Sequence, residues 1–103
     1  MADVDELSWL QDWYLSQCDG NWEHTYGMKI KTLDNPGWAV EIDLSNTNLA
    51  GWTHEELNTD LGDNDWIVCR IVDEKFQGFG DAMKLRSILG IFREWVEMPS
   101  SKA

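Results

Sequence analysis

Two alternating segments joined by a turn constrain the fold of this chain most strongly. Over residues 22–32 large apolar side chains alternate with polar ones, and over residues 38–44 the alternation resumes. A period of two is typical of a strand with one buried face. Between the segments, Pro36 fixes φ at the second position of a type II turn and Gly37 accepts the positive φ of the third. The sequence therefore predicts an antiparallel hairpin over residues 22–44.

A second hairpin is predicted over residues 65–79. Its first strand, residues 66–72, is β-branched and apolar on both faces, which is typical of a central strand. A short turn then leads to a strand over residues 76–79. Residues 45–64 are rich in Asn, Gly and acidic side chains, so we expect a long loop there, with a short strand or helical turn near residues 52–57.

Helices are predicted on either side of the strands. The first runs from about Asp5 to Cys18, because apolar residues recur at helical spacing. Its predicted apolar arc contains Val4, Leu7, Leu10, Tyr14, Leu15 and Cys18. Trp9 and Trp13 lie on a second face, so either the helix is buried on two sides or these rings meet a partner. The last helix follows Gly80, with Asp81 as its N-cap. Its apolar stripe contains Leu85, Ile88, Leu89, Ile91, Phe92, Trp95 and Val96.

This order of elements predicts an α+β domain with an antiparallel sheet of about four strands, packed against an N-terminal and a C-terminal helix. A length of 103 residues suits one domain. We expect that domain to span residues 1–103, with an ordered core over 5–97 and a frayed tail over 98–103. Four tryptophans on apolar faces are expected in the core: Trp22, Trp38, Trp66 and Trp95.

The charge balance excludes several classes of function. Asp and Glu number 19 against 8 Lys and Arg, for a formal net charge of −11. Proteins that hold nucleic acid or anionic lipid need local positive charge, so neither is an expected partner. No apolar run approaches the roughly 20 residues that span a bilayer, and no signal peptide is visible. We therefore expect a cytoplasmic protein without a membrane partner, in which Cys18 and Cys69 are free thiols.

No motif in the sequence indicates catalysis, a cofactor or a metal. The pool of nitrogen and sulfur ligands is His24, His54, Cys18 and Cys69, and no two of them have the spacing of a ligand pair. Cys69 lies in mid-strand, which is typical of a small core residue. The glycines of Gly78-Phe79-Gly80 are expected at a tight strand-to-helix transition. We predict no catalytic, cofactor-binding or metal-binding residues.

The positive prediction is a partner-binding surface. Clustered acids focus a negative potential that speeds the approach of a basic partner, and Trp is enriched at interface hot spots. Three tryptophans, Trp9, Trp13 and Trp52, are candidates for exposure. The predicted acidic contacts are Glu41 and Asp43 on the first hairpin, with Glu55, Glu56, Asp60, Asp63 and Asp65 in and after the loop.

Three strings of the sequence are rich in aromatic residues: Trp9-Leu10-Gln11-Asp12-Trp13-Tyr14, Cys18-Asp19-Gly20-Asn21-Trp22-Glu23-His24 and Thr32-Leu33-Asp34-Asn35-Pro36-Gly37-Trp38. Shorter strings are Asp43-Leu44, Asp65-Trp66-Ile67, Gly78-x-Gly80 and Ile91-Phe92-Arg93-Glu94-Trp95. Together these strings resemble the immunity protein 53 family of bacterial polymorphic toxin systems. The resemblance covers roughly residues 8–96, but residues 51–64 do not match the family pattern.

The resemblance implies a cytoplasmic, non-enzymatic protein that binds the C-terminal domain of a cognate bacterial toxin stoichiometrically. From charge we add that the toxin presents a basic surface, as a nuclease would. The sequence leaves a homo-oligomer open but does not indicate one. A second function stays open at this point: a small-ligand or regulatory binding module whose Trp-lined sheet face holds an apolar ligand.

Overall fold

The computed structural model describes residues 5–97 and the backbone of residues 101–102. In this part of the chain the helices are α1 (Glu6–Gln17), α2 (Trp22–Thr25) and α3 (Leu85–Glu97). The strands are β1 (Met28–Leu33), β2 (Gly37–Asp43), β3 (Trp52–Thr53), β4 (Leu57–Asp60), β5 (Trp66–Val72), β6 (Lys75–Asp81) and β7 (Ser101–Lys102).

Five of these strands form one antiparallel sheet in the order β1-β2-β6-β5-β4. The α+β class and both predicted hairpins are confirmed. The fifth strand, β4, was expected to be loop, because Asn58, Thr59 and Asp60 lack the apolar alternation that indicates a strand. The predicted tail over 98–103 lies mostly outside the described residues, and the backbone of 101–102 pairs with β3.

The start of the first hairpin differs from its prediction, because residues 22–25 form the short helix α2. The Asp19 carboxylate accepts hydrogen bonds from the N–H groups of Asn21 and Trp22 at 2.9 and 3.0 Å. In return, the Glu23 carboxylate accepts from the N–H groups of Asp19 and Gly20. These reciprocal bonds hold the segment that leads into α2 and satisfy the N–H group of Trp22, the first residue of the helix. Trp22 is thereby turned into the core, where its side chain is fully buried.

Three glycines within the strands, Gly37, Gly78 and Gly80, allow close packing. Gly37 lies in β2 outside the left-handed region, so the predicted type II turn is wrong. A Cβ at Gly37 would lie 2.5 Å from the carbonyl oxygen of Gly80. Gly78 and Gly80 lie within β6, not at a strand-to-helix transition. A Cβ at Gly78 would come within 2.4 Å of Cγ2 of Ile88, so this glycine lets α3 rest directly on the sheet.

The last helix begins at Leu85, four residues after Asp81, so Asp81 is not its N-cap. Asp81 ends β6 instead. The predicted apolar stripe is confirmed: Ile88, Leu89, Phe92 and Trp95 are buried, and Leu85, Ile91 and Val96 are partly buried against the same core.

The buried face of α1 is the one that carries the tryptophans. Trp13 is 8% exposed, whereas Leu7 and Leu15 of the predicted arc are 57% and 71% exposed. The Trp9 and Trp13 rings meet Phe92 edge-on, with centroids 5.9 and 5.0 Å apart. Large aromatic rings bury more apolar area than the leucines, and their edge-to-face contacts add to that gain. Of the predicted arc, Leu10 is buried and Cys18 half-buried, so the prediction is wrong at Leu7, Tyr14 and Leu15, which are exposed. Val4 lies outside the described residues.

We expect Gly78→Ala to destabilise the fold by about 1–3 kcal/mol, because the new methyl group overlaps Ile88. Adding Ile88→Leu, which removes the clashing Cγ2, should restore part of that loss. Gly90→Ala is the matched control, since its Cβ meets Glu6 at an ordinary 3.6 Å. Urea unfolding of these three variants and the wild type measures the difference. Equal stability of Gly78→Ala and wild type would contradict this account of the α3 contact.

Candidate partner-binding surface

The sheet has one face covered by helices and one uncovered face. Val40, Gly78 and Cys69 share a row on the covered face, where Ile88 of α3 packs. No helix in the described part of the chain packs on the opposite face, which we call the open face. Its rows are Lys29, Glu41, Gln77 and Arg70, then Lys31, Ala39, Phe79, Val68 and Asn58, then Asp81, Trp66 and Asp60.

The open face ends in a groove at the end of the sheet where three connections meet. These are the β1–β2 turn, the β4–β5 turn and the segment between β6 and α3. The groove has a volume of about 800 Å³. We call it the turn groove, and it is lined by Asn35, Pro36, Asp60, Gly62, Asp63, Asn64, Trp66, Asp81, Ala82 and Met83.

Asp81 holds the walls of the turn groove together. Its side chain is buried, and its carboxylate accepts hydrogen bonds from the N–H groups of Trp66 and Met83, each at 2.9 Å. Lys84 Nζ lies 2.8 Å from the same carboxylate and 2.8 Å from that of Asp65. The hydrogen bond from Lys84, followed by that from the Met83 N–H, lowers the pKa of Asp81 to about 2. Asp81 is therefore a buried anion that fixes β5 against the β6–α3 connection.

The predicted acidic contacts divide into separate groups. Asp60 and Asp63 line the turn groove, and neither forms an ion pair among the described residues. Asp65 forms an ion pair with Lys84, which it shares with Asp81. Glu55 and Glu56 are exposed just before β4.

Glu41 and Asp43 do not belong to the turn groove. They lie on the open face toward the other end of β2, where Asp43 pairs in register with Lys75. The fold therefore separates Glu41 and Asp43 from the acids of the turn groove.

The three tryptophans expected at the surface all pack against the core. Trp13 is buried, so its predicted exposure is wrong. Trp9 and Trp52 are partly buried against the core, and Trp52 Nε1 donates to the carbonyl oxygen of Asn48 at 2.8 Å. Folding thus uses most of the indole area that these residues were expected to offer to a partner.

Sequence reasoning missed Trp66 and Met83 as surface residues. Trp66 was expected in the core, but it is half-buried, lies outside the core cluster and lines the turn groove. The alternation along β5 is the available clue: Ile67 and Cys69 are buried, so Trp66 must face the other way. Met83 is 85% exposed beside it.

The interior offers little room for a small ligand. A cavity between the β3 segment and α3, lined in part by Leu49, Trp52, His54 and Trp95, holds about 20 Å³. That volume suits roughly one water molecule.

The described residues offer no evident reactive group or metal site. Burial raises the pKa of the Cys69 thiol to about 12, which makes it a poor nucleophile. Within residues 5–97, no His, Cys, Asp or Glu cluster suited to a metal is found. None of the described helices is long and apolar enough to cross a membrane.

Fold and surface together define an α+β domain whose acidic and aromatic side chains meet at an uncovered end of the sheet. A family model described as immunity protein 53 matches residues 7–97, and the chain belongs to that family. The resemblance carried by the Trp-rich strings is thereby confirmed. The family implies a toxin as partner, in general terms, and its members are generally not enzymes. No curated protein and no solved structure matches the chain.

The low pKa of Asp81 predicts an acid-dependent loss of stability. A carboxylate whose folded pKa lies below its unfolded value stabilises the fold above the unfolded pKa, and this contribution disappears as the pH falls from about 4 to about 2. We expect Asp81→Asn to unfold at lower urea concentration than wild type near neutral pH, and the difference to shrink across that window. Asp63→Asn, at an acid without such bonds, should follow wild type. A difference for Asp81→Asn that stays constant with pH would contradict this assignment.

Proposed function

We propose that this protein neutralises a cognate toxin by binding the toxin's C-terminal domain one to one, with a basic surface of the toxin docked on the turn groove and the adjoining open face. The observation that carries the proposal is that Asp60 and Asp63, which form no ion pair within the described residues, line one groove together with the apolar groups of Trp66 and Met83.

The two kinds of side chain have different tasks in such a complex. Acids at the rim of a groove attract a basic partner from a distance and raise the rate of association. An aromatic ring and a thioether in the groove supply the apolar contact that slows dissociation. Toxins that cleave nucleic acid need basic surfaces to hold phosphates, so we propose a nuclease as the toxin class and the cytoplasm as the place of neutralisation.

The direct test is co-expression with the toxin domain encoded beside this gene, followed by co-purification at low and high salt. We expect rescue of growth and a one-to-one complex that salt weakens. Rescue without a complex, with both proteins folded, would contradict neutralisation by direct binding. The absence of both rescue and complex would contradict the immunity function for that pair.

Charge reversal locates the docking surface. We expect the double variant Asp60→Lys/Asp63→Lys to bind the toxin domain about a hundredfold more weakly, since like charges then face a basic partner. Asp12→Lys/Glu94→Lys is the matched control. It makes the same change in net charge at exposed positions on α1 and α3, away from the open face. Titration calorimetry measures both. Equal losses in the two double variants would indicate a general charge effect and contradict docking at the turn groove.

A further inference from the structure

The two edges of the sheet are chemically different. β1 forms one edge, and its exposed Lys29 and Lys31 alternate along it. Lysines on an edge strand discourage pairing with another chain. β4 forms the other edge and carries no lysine or arginine. Acids lie along β4 instead: Glu55 and Glu56 before it, Asp60 at its end and Asp63 in the turn after it.

The backbone of β4 presents hydrogen-bonding groups outward. The N–H of Leu61 donates to the carbonyl oxygen of Asp65 at 2.8 Å, which makes these residues a hydrogen-bonded pair. In an antiparallel ladder, hydrogen-bonded pairs alternate with non-hydrogen-bonded pairs. The backbone groups of Thr59 and Leu57 therefore also bond to β5, whereas those of Asn58 and Asp60 point away from it. No group in the described part of the chain accepts from the N–H groups of Asn58 or Asp60.

One row of side chains accompanies this edge on the open face. Asn58 and Asp60 share that face by alternation. The Asn58 amide nitrogen lies 3.5 Å from a carboxylate oxygen of Glu56, which places Glu56 on the same side. A strand laid along β4 would therefore run beside carboxylates at both ends of the row, and lysine or arginine at alternate positions would meet them.

We propose that β4 is the edge to which the toxin adds a β-strand, a strand carrying basic side chains at alternate positions that lie over Glu56 and Asp60. This inference rests on the proposed function and specifies its geometry. Main-chain hydrogen bonds to Asn58 and Asp60 extend the sheet, and Asp60 joins the added strand to the turn groove, which it also lines.

Proline substitution separates the outward backbone groups from the side chains. Asn58→Pro removes an N–H that does not bond to β5, and an edge strand tolerates proline at such a position. Asn58→Ala keeps the N–H and removes the side chain. Thr32→Pro is the matched control on the lysine edge. The N–H of Asp43 donates to the carbonyl oxygen of Gly27. By the same alternation, the backbone N–H groups of residues 28, 30 and 32 face away from β2, so proline at position 32 also removes an outward N–H group.

Each variant is titrated with the toxin domain encoded beside the gene, in a catalytically inactive form, after circular dichroism has established its fold. We expect Asn58→Pro to weaken binding by about tenfold or more. Asn58→Ala and Thr32→Pro should stay within about twofold of wild type. Hydrogen exchange on the wild-type protein gives a readout independent of any variant: the Asn58 and Asp60 amides should become protected in the complex.

The outcomes distinguish this inference from the proposed function. Strand addition is overturned if the backbone amides of Asn58 and Asp60 stay unprotected in the wild-type complex, or if Asn58→Pro binds the toxin domain with unchanged affinity. Either result leaves toxin binding itself standing. Failure of the wild-type protein to bind overturns the proposed function. A dimer of this chain that Asn58→Pro abolishes would assign the edge to a second copy and overturn the toxin as occupant.

Discussion

The architecture depends on the direct contact between α3 and β6. Side chains at Gly78 and Gly80 would collide with Ile88 and Lys84, so the missing Cβ atoms set how closely the helix approaches the strand. That approach brings Phe92 into contact with Phe76, whose ring centroid lies 4.9 Å away, and α1 then packs its tryptophans against Phe92. Close packing of this kind transmits small changes, because interiors have few voids to absorb them.

A core built on one side leaves the other side of the sheet uncovered. The aromatic side chains that fill the core belong to the helices and the covered face. The open face retains half-buried groups that satisfy one another locally: the Arg70 guanidinium lies 5.5 Å from the centre of the Phe79 ring and donates to Gln77. At the end of this face, three donors converge on the buried carboxylate of Asp81. These hydrogen bonds stabilise the buried charge and fix the segments that donate them.

The sequence predicted the parts of the fold whose signals are local. Alternation found β2 and the helical stripe found α3, because each pattern has a definite period. The run of β-branched residues found β5. The predicted buried face of α1 was wrong because apolar spacing alone does not show which side of the helix packs against Phe92. The strand β4 was missed because edge strands need not be apolar. The sequence nominated acids as candidate partner contacts, but their division between two ends of the sheet depends on strand order, which no local pattern encodes.

The net charge of −11 limits which chains can associate with the uncovered sheet. An exposed sheet face and an open strand edge invite association with any chain that offers a complementary strand. A strongly acidic protein repels further copies of itself and other acidic chains at long range, so association is discouraged before short-range contacts form. A basic partner experiences the opposite force and reaches the same groups quickly. In the proposed complex, charge therefore decides which chains approach the open face, while Trp66, Met83 and the β4 backbone set how slowly a bound chain dissociates.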